Sequence, residues 1–590
     1  MAEYRNPQQE PGNERRTLVV FAVTFAIIVL AQFFLFKNKP APVSPRPSTQ
    51  QSGPTQTTPS VAASPETAAP TSSGSQPAAS PGTRVAPGEV ETTVETPVYK
   101  IIFTNRGAQV KSWILKQYKD DGGKPLDLVN HAAESFGLPL GLYTYDQNLS
   151  RQINSALYVS KATSNHLVAP GELAYEYSEG GVVVHKSFYF GDGYVISIEA
   201  RAAQNGNPVA VYPMWPPGLG DQHSGPSYAS SRIDYLASDK VERLAAKKVS
   251  GGNTLHGPFS WAGPQDQYFA AIFLPDDPNS AAMVTLRESV TVPKDPNKPD
   301  PNNVARYDVL GAAVGDVTGV TKERLFVGPK AVHILESVRS NSAPGAQNGP
   351  DLRGAVDFGM FSFIARPLFL WLRWTQQHIA YNWGVSIIIL TIIINLALLP
   401  LRIASMKSAL KMQKLQPQMK AIQDKYKKLP MRDPKRQEMN AELAELYKRE
   451  GANPAGGCVP LLIQMPFLFA FYSMLGNAIE LRHASFLWLH DLSSPDKLFI
   501  LPVIIVITTY LVQKMTPNAG MDPQQQRMMT LMMPLMIGFF SYSLPSGLSV
   551  YWVVGNLIAI AQQWVMNRTS LGKEMRVELE KRARKAKVAK

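Results

Sequence analysis

The chain has 590 residues, a formal net charge of +13 and 45% hydrophobic residues, and it contains one cysteine, Cys458. A single cysteine excludes an intramolecular disulfide and any metal site built from several cysteines. The length allows several domains, and the basic charge can serve membrane topology or a ribonucleoprotein partner.

The N-terminal part of the chain predicts a membrane anchor. The uncharged run at 18–36, LVVFAVTFAIIVLAQFFLF, is long enough to span a bilayer. Arg15 and Arg16 precede it and no small-residue cleavage site follows, which predicts an uncleaved signal anchor with residues 1–17 in the cytoplasm. Residues 37–94 are rich in Pro, Ser and Thr and predict a disordered linker.

Residues 95–340 predict a β-sandwich domain in the periplasm. The run GVVVHKSFYFGDGYVISIEARA reads as two strands joined across Asp192-Gly193, and AAMVTLRESVTVP reads as a further strand. Histidines and carboxylates are scattered, without the spacing of a metal site or a catalytic triad. This favours a scaffold or docking role for the domain.

After a linker at 341–358, residues 359–382 predict an amphipathic helix. Ser362, Arg366, Arg373 and Gln377 share one face, and large apolar side chains cover much of the rest. Such a helix lies in the plane of the membrane interface. The alternative is an amphipathic helix packed on the β-domain.

The region 383–566 predicts an α-helical core of five membrane spans. Apolar runs of this length span lipid as helices, and they occupy 384–401, 459–479, 498–514, 528–544 and 547–566. The segment 402–458 and the tail 567–590 are basic, which places both, and hence the C-terminus, in the cytoplasm. Heptad-like spacing predicts a helical hairpin over 402–458, either self-packed with a solvated basic face or used for docking.

Polar side chains in five of these spans lie mainly toward the cytoplasmic leaflet. They are Asn395, Gln464, Thr508, Thr509, Gln513 and Thr530, with Gln562 and Gln563 near the end of the last span and Asn556 near its middle; Arg402 directly follows the first span. Lipid cannot satisfy such groups, so we expect a hydrophilic cavity open to the cytoplasm. Interhelical hydrogen bonding is the alternative for each residue alone. Asn395 and Arg402 are seven residues apart, which places both on nearly the same helical face.

Motifs of common enzyme classes are missing from the sequence. It contains no phosphate-binding G-x-x-x-x-G-K-[ST], no H-E-x-x-H zinc pair and no G-x-S-x-G elbow. We therefore expect neither catalysis nor a bound metal.

The helical region also resembles a known family. The motifs NWGVSIII, LPLR, SMK, KLQPQM, NPAGGCVPLLIQMPFLFAFYSML, FLWLHDLSSPD, QKMTPN, LPSGLSVYW and NLIAIAQQ, within 355–566, look like the core of the YidC/Oxa/Alb membrane protein insertases. The anchor and β-domain match the arrangement of the Gram-negative form, which has a large periplasmic domain. The resemblance implies a five-helix core with a groove open to cytoplasm and lipid, and no cofactor.

The resemblance implies groove residues and partners as well. Groove positions of the family fall on Thr391, Gln464, Tyr551 and Trp552, whereas the arginine that the family carries on its first core helix is replaced here by Asn395. The implied partners are nascent membrane proteins, the Sec translocon, the ribosome through the basic tail and cytoplasmic loops, and the lipid bilayer. The sequence therefore predicts an inner-membrane insertase and folding chaperone. A secondary transporter or a structural envelope scaffold remains the alternative.

Overall fold

The computed structural model describes residues 82–577 with short gaps, and it leaves some further side chains undescribed. The gaps are 223–224, 295–299, 301, 342, 344–345, 427–432, 453–458, 517–522, 571 and 575–576, and the undescribed side chains are those of 436, 459–463 and 523–526. The predicted cytoplasmic segment 1–17 and the anchor 18–36 lie outside the described residues. So do most of the linker 37–94 and most of the tail 567–590.

The first part of the described chain is rich in strands. In chain order they are β1 (Glu91–Glu95), β2 (Tyr99–Thr104), β3 (Gln109–Lys119), β4 (Pro125–Asp127), β5 (Leu142–Tyr143), β6 (Val159–Ser160), β7 (His166–Val168), β8 (Gly171–Glu179), β9 (Val182–Phe190), β10 (Val195–Gln204), β11 (Asn207–Val209), β12 (Tyr212–Trp215), β13 (Arg232–Ala237), β14 (Lys240–Ala245), β15 (Thr254–His256), β16 (Trp261–Gln265), β17 (Phe269–Pro275), β18 (Ala281–Pro293), β19 (Val304–Asp316) and β20 (Val320–Pro329). Short helices accompany them: α1 (Gln147–Ser155), α2 (Gly225–Ala229) and α3 (Val332–Ser337).

These strands form three sheets. The ten-stranded sheet has the order β14-β13-β16-β17-β20-β10-β9-β8-β6, with β11 paired to β10. The five-stranded sheets have the orders β4-β3-β2-β1-β7 and β15-β18-β19-β12-β5. Neighbours pair antiparallel except for β1 and β7, which are parallel. The β-rich fold predicted for this part of the chain is confirmed.

The hairpin predicted across Asp192-Gly193 is present. β9 and β10 pair antiparallel from Phe190↔Ile196 to Val182↔Gln204. Alternate side chains of β9 are buried, as expected when one face of a strand lies on the core. The predicted strand AAMVTLRESVTVP coincides with β18.

The first strand begins before the boundary predicted at 95. β1 already starts at Glu91 and pairs with β2, and Arg84 forms an isolated bridge with Ser178. The linker prediction for 37–94 is therefore wrong for residues 91–94. In the segment ETTVE only Val94 is strongly apolar, so pairing with the apolar β2, rather than its own composition, makes this segment a strand.

The second part of the described chain is helical. Its helices are α4 (Ser362–Thr375), α5 (Trp383–Ala397), α6 (Leu399–Lys425), α7 (Lys435–Arg449), α8 (Val459–Asn477), α9 (Ile500–Met515), α10 (Pro523–Ser541) and α11 (Ser546–Arg568). A π-helical segment at Gln376–Ala380 extends α4. α11 packs against α5, α8 and α9, whereas α10 packs on α9.

α4 presents a large apolar surface and is sharply bent away from α5. Its exposed side chains include Phe363, Leu370, Trp371 and Trp374. The chain turns by 116° between Ser362–Ala380 and Trp383–Ala397. Tyr381 takes a left-handed backbone conformation at the turn, and the side chain of Asn382 caps α5 by accepting from the N–H groups of Gly384 and Val385.

The helix predicted over 384–401 is divided in the structure. α5 ends at Ala397, and α6 begins at Leu399 with Pro400 in its first turn. Proline has no N–H to continue the helical ladder and is accepted in the first turn of a new helix. The prediction of one continuous helix over 384–401 is therefore wrong, and the end of the span at 401 and the start of the insert at 402 stay predictions.

One described helix, Ser546–Met566 within α11, is long and apolar enough by itself to cross a membrane. The bent pair Ser362–Ala380 and Trp383–Ala397 passes the same test only when its two parts are taken together. α9 and Arg527–Ser541 are shorter apolar helices. The five predicted spans thus each overlap a helix, but their number as complete spans stays a prediction.

α6 and α7 form an antiparallel pair. Their seam is an apolar cluster of Met412, Leu415, Met419, Leu446 and Ala452. The spacing of the α6 members is the spacing that predicts the hairpin. Gly451, with a φ of +59°, follows α7, where a left-handed residue commonly ends a helix.

The end of α8 joins the helices to the β-domain. Nε2 of Gln267, between β16 and β17, donates to the carbonyl of Gly476 at 2.6 Å. Nδ2 of Asn477 donates to the carbonyl of Asp357 at 2.9 Å. Arg482 lies over the ring of Tyr268 at 5.5 Å from its centroid.

Candidate functional site

The polar face of α5 is buried and internally bonded. The hydroxyl of Thr391 donates to the carbonyl of Ile387 at 2.6 Å, and Nδ2 of Asn395 donates to the carbonyl of Thr391 at 2.8 Å. Thr391 and Asn395 are 0% and 2% exposed. Because the Asn395 nitrogen is committed to the backbone, its oxygen is left to accept a bond from elsewhere.

Arg402 provides that bond from the first turns of α6. Nη2 of Arg402 donates to Oδ1 of Asn395 at 3.0 Å, and Nη1 donates to Oε1 of Gln562 on α11 at 2.6 Å. Nε2 of Gln562 reaches the carbonyl of Asn395 at 3.4 Å. The sequence spacing correctly brings Asn395 and Arg402 together, even though the helix is broken between them.

Arg402 is a cation without an anionic partner. Within the part of the chain that the structure describes, no carboxylate lies within ion-pair distance of its guanidinium. Both of its partners are neutral amide oxygens. A guanidinium carries five N–H donors, so two contacts leave donors and a full positive charge available to a ligand.

Gln464 and Tyr551 form a second contact, between α8 and α11. Nε2 of Gln464 donates to the hydroxyl oxygen of Tyr551 at 2.6 Å. The Tyr551 ring stacks on Phe471, with ring centroids 4.2 Å apart. Trp552, the next residue of α11, is partly exposed. This contact ties α8 to α11, the helix that carries both Tyr551 and Gln562.

Asn556 forms a third contact, between α9 and α11. Its Nδ2 donates to the hydroxyl oxygens of Thr508 and Thr509, each at 2.9 Å. Thr508 in turn donates to the carbonyl of Ile504 at 2.7 Å. Farther along α9, Nε2 of Gln513 lies 3.0 Å from the sulfur of Met533 on α10.

The ten predicted site residues therefore do not form one continuous group of contacts. α11 is common to three separate contacts, with Arg402 and Asn395, with Gln464, and with the two threonines. Thr391, Asn395, Thr508, Thr509 and Tyr551 are buried, whereas Arg402, Gln464, Gln513, Trp552 and Asn556 are partly exposed. A single water-filled cavity remains a prediction, and Arg402 is its candidate charged residue.

Gln562 is the residue that the sequence reasoning left out of the site. It was noted as a polar residue near the end of the last span and lies within the motif NLIAIAQQ, but it was not chosen as a groove residue. Tyr551 and Gln562 are eleven residues apart, which is three turns of a helix and places both on one face of α11. That spacing is the signal that could have added Gln562 to the group.

Among the described residues, no group of three or more His, Cys, Asp or Glu side chains is arranged to hold a metal ion. What the contacts show is hydrogen bonding among neutral amides, hydroxyls and the Arg402 guanidinium.

Comparisons with known proteins cover both parts of the chain. The family model described as 60Kd inner membrane protein matches residues 374–573, and the model described as YidC periplasmic domain matches residues 91–371. The crystal structure titled "Active YidC insertase crystal structure with the first transmembrane domain resolved" covers 82% of this chain and 94% of its own, at 20% identity and a TM-score of 0.34.

Curated relatives match nearly the whole length. The membrane protein insertase YidC of Syntrophus aciditrophicus (strain SB) is 32% identical over 579 residues, covering 94% of this chain and 99% of that protein. The protein of the same name from Geobacter sulfurreducens is 34% identical over 495 residues, covering 80% of this chain and 86% of that protein. With this identity over both its β-rich and its helical part, the chain belongs to the YidC family of membrane protein insertases.

Proposed function

We propose that this chain inserts newly made membrane proteins into the inner membrane, and that the contacts around Arg402 form the charged wall of its substrate groove. The relatives are named insertases, and an insertase family is not a class of catalytic enzymes. The relatives' names give no support to a secondary transporter or an envelope scaffold.

The observation that carries the proposal is the state of Arg402. Burying a cation costs free energy, so a partly buried cation is usually paired with an anion or retained for a function. The guanidinium is held by the neutral oxygens of Asn395 and Gln562, and it keeps unused donors and its charge. Such a group attracts acidic side chains on the polar flank of a substrate.

The helix surfaces around this network favour a path along lipid. α5 exposes Ile392, Ile393 and Leu396, and α9 exposes Val503 and Ile507. An apolar substrate segment can slide against such surfaces while its short polar flank dwells near Arg402. Release is then driven by burial of the apolar segment, at about 25 cal/mol per Å², and by the membrane potential for acidic flanks.

The remaining groove candidates support the charged wall. Gln464 and Tyr551 fix α8 to α11, and Asn556 with Thr508 and Thr509 fixes α9 to α11. Thr391 orients Asn395 through its carbonyl. Gln513 and Trp552 complete the proposed lining.

The proposed topology follows the charge distribution of the sequence. Residues 18–36 anchor the chain with its N-terminus in the cytoplasm, and the β-domain lies in the periplasm. α4 lies in the outer interface, supported by its exposed Phe363, Trp371 and Trp374. The α6–α7 pair and the C-terminal tail face the cytoplasm, and five spans cross the membrane between these regions.

The proposed partners follow from surface chemistry. The basic tail 567–590 and the α6–α7 pair are suited to ribosomal RNA, whose phosphates bind Lys and Arg in a salt-dependent manner. Anionic lipid is an alternative ligand for the same charges. Cooperation with the Sec translocon is proposed from the family resemblance.

Depletion of this protein in its host tests the proposed function. The readout is protease accessibility of a single-span protein with a short translocated tail, compared with a soluble secreted protein as control. We expect the tail to stay protected inside the cell after depletion, while export of the control changes less. Unchanged insertion of the short-tailed protein would contradict the proposal.

A further inference from the structure

Gln562 joins the charged wall to α11. It accepts from Nη1 of Arg402 at 2.6 Å and reaches the carbonyl of Asn395 at 3.4 Å. We infer that Gln562 is a positioning and specificity-determining residue, whose neutral amide holds Arg402 beside Asn395 without neutralising it and so makes the groove selective for acidic flanks. This inference rests on the proposed function.

The orientation of both amides supports the role. The nitrogen of Asn395 is bound to the Thr391 carbonyl, and the nitrogen of Gln562 is directed at the Asn395 carbonyl. Each amide therefore turns its oxygen toward the guanidinium. The arginine is clamped between two helices that are far apart in sequence, which fixes its position relative to α5 and α11.

The contacts of Arg402 with Asn395 and Gln562, here called the clamp, also show which residue supplies the positive charge that is absent at position 395. Asn395 occupies the position at which the family resemblance implies an arginine. Here the charge comes from α6, and its side chain reaches back to Oδ1 of Asn395 at 3.0 Å. Gln562 completes this arrangement from the opposite helix, so the positive charge stands beside Asn395 although the residue there is neutral.

A carboxylate at 562 would hold the arginine equally well but would change its charge. Glutamate has nearly the shape of glutamine, and arginine forms strong, often bidentate bonds with carboxylates. Such a pair would satisfy the guanidinium and remove its attraction for other anions. A purely structural role for Gln562 predicts that glutamate is tolerated, whereas a role in selectivity predicts that it is harmful.

The chain supplies a matched control in the next residue. Gln563 is also on α11, but its Nε2 donates to Oδ1 of Asn567 at 2.9 Å on the same helix. It is 9% exposed and has no described contact with Arg402. Gln563→Glu therefore introduces the same charge at the same depth without reaching the clamp.

The experiment reconstitutes the full chain in lipid vesicles and measures insertion by protease protection. The substrates are two single-span proteins that differ only in the short translocated flank, which carries two aspartates or two asparagines. The variants are Gln562→Glu, Gln562→Met, Gln563→Glu and Arg402→Ala. The measured quantity is the ratio of insertion rates for the acidic and the neutral flank.

We expect Gln562→Glu to lower this ratio about tenfold, as Arg402→Ala does, a change that corresponds to ~1.4 kcal/mol. Insertion of the neutral flank stays unchanged. Gln562→Met frees one side of the guanidinium, and we expect a fall of about threefold, or ~0.7 kcal/mol, in the ratio. This variant tests the role even if the glutamate variant folds poorly. Gln563→Glu leaves the ratio unchanged.

The outcomes separate the inference from the proposed function. If Arg402→Ala lowers the ratio but neither Gln562 variant does, the role of Gln562 is wrong and the charged groove stands. An equal fall with both substrates in the Gln562 variants would reduce Gln562 to a structural residue. If Arg402→Ala leaves the ratio unchanged, the charged groove itself is wrong.

Discussion

The β-domain and the helical core each hold a cation that has no carboxylate partner among the described residues, and the two cations are bonded in opposite ways. In the β-domain, Nζ of Lys186 donates to the carbonyls of Gly107, Ala108 and Leu140 at 2.8, 2.7 and 2.5 Å. An ammonium has three N–H donors, and all three are used. In the core, Arg402 uses two donors of five on neutral amides.

The difference separates a structural cation from one that can act on a ligand. Burial lowers the pKa of Lys186, while the three carbonyl oxygens favour its charged form. The side chain thereby links the backbone at Gly107 and Ala108 to the backbone at Leu140. Nothing is left over for a partner. Arg402 is partly exposed and keeps donors, which is the condition for binding an acidic group. Counting donors, rather than burial alone, distinguishes the two roles.

The largest expected effect comes from breaking the structural cation. Lys186→Met leaves three buried carbonyls without a donor, so we expect the free energy of unfolding to fall by about 3–5 kcal/mol. Chemical denaturation of the full chain, followed through the buried tryptophans of the β-domain, measures this. Lys119→Met, at an exposed position of β3, is the matched control and should change little. A stable Lys186→Met protein would show that the three bonds are not needed.

A smaller effect is expected at a buried acid of the β-domain. Both oxygens of Glu323 lack a described hydrogen-bond partner, and burial, with Asp276 nearby, raises its pKa well above the ordinary value. Between the ordinary and the raised pKa the folded chain holds a proton that the unfolded chain releases, so its contribution to stability declines as pH rises through this window. Glu323→Gln removes this decline, so above the window its free energy of unfolding should exceed that of the unchanged protein by ~1.4 kcal/mol for each unit of pKa shift.

Thermal unfolding from pH 4.5 to 8 checks this prediction. We expect the variant to match the unchanged protein at the acidic end and to unfold at a higher temperature at pH 8. Glu172→Gln, on the exposed face of β8, serves as the control. A difference that is constant with pH would contradict a buried, protonated Glu323.

The smallest effect is expected within the core itself. Asn556 contacts two threonines, and none of its described hydrogen bonds reaches Arg402. Asn556→Leu should cost about 0.6 kcal/mol, the typical value for an interhelical polar contact in membranes, and should leave the preference for acidic flanks intact. Thermal unfolding in detergent and the insertion assay above measure the two quantities. Loss of the preference would mean that the separate contacts act as one unit.

The sequence was informative where a feature depends on local spacing. The β9–β10 hairpin follows from Asp192-Gly193, and the bond between Asn395 and Arg402 follows from a separation of seven residues. Features that depend on a distant partner were missed. β1 is a strand because it pairs with β2, and the bond between Gln562 and Arg402 forms because α11 packs against α5. The break at Leu398 was visible in Pro400 but was outweighed by the apolar run around it.

The most direct test of a charged groove is the insertion of acidic and neutral flanks by Arg402→Ala and by Arg402→Ala combined with Asn395→Arg. The double variant returns a positive charge to the first core helix, at the residue whose side chain Arg402 contacts in the unchanged protein. We expect Arg402→Ala to insert the acidic flank about tenfold more slowly, equivalent to ~1.4 kcal/mol, and the double variant to recover most of that rate. Equal rates for acidic and neutral flanks in all three proteins would contradict a role for fixed charge and leave hydration of the groove as the only contribution.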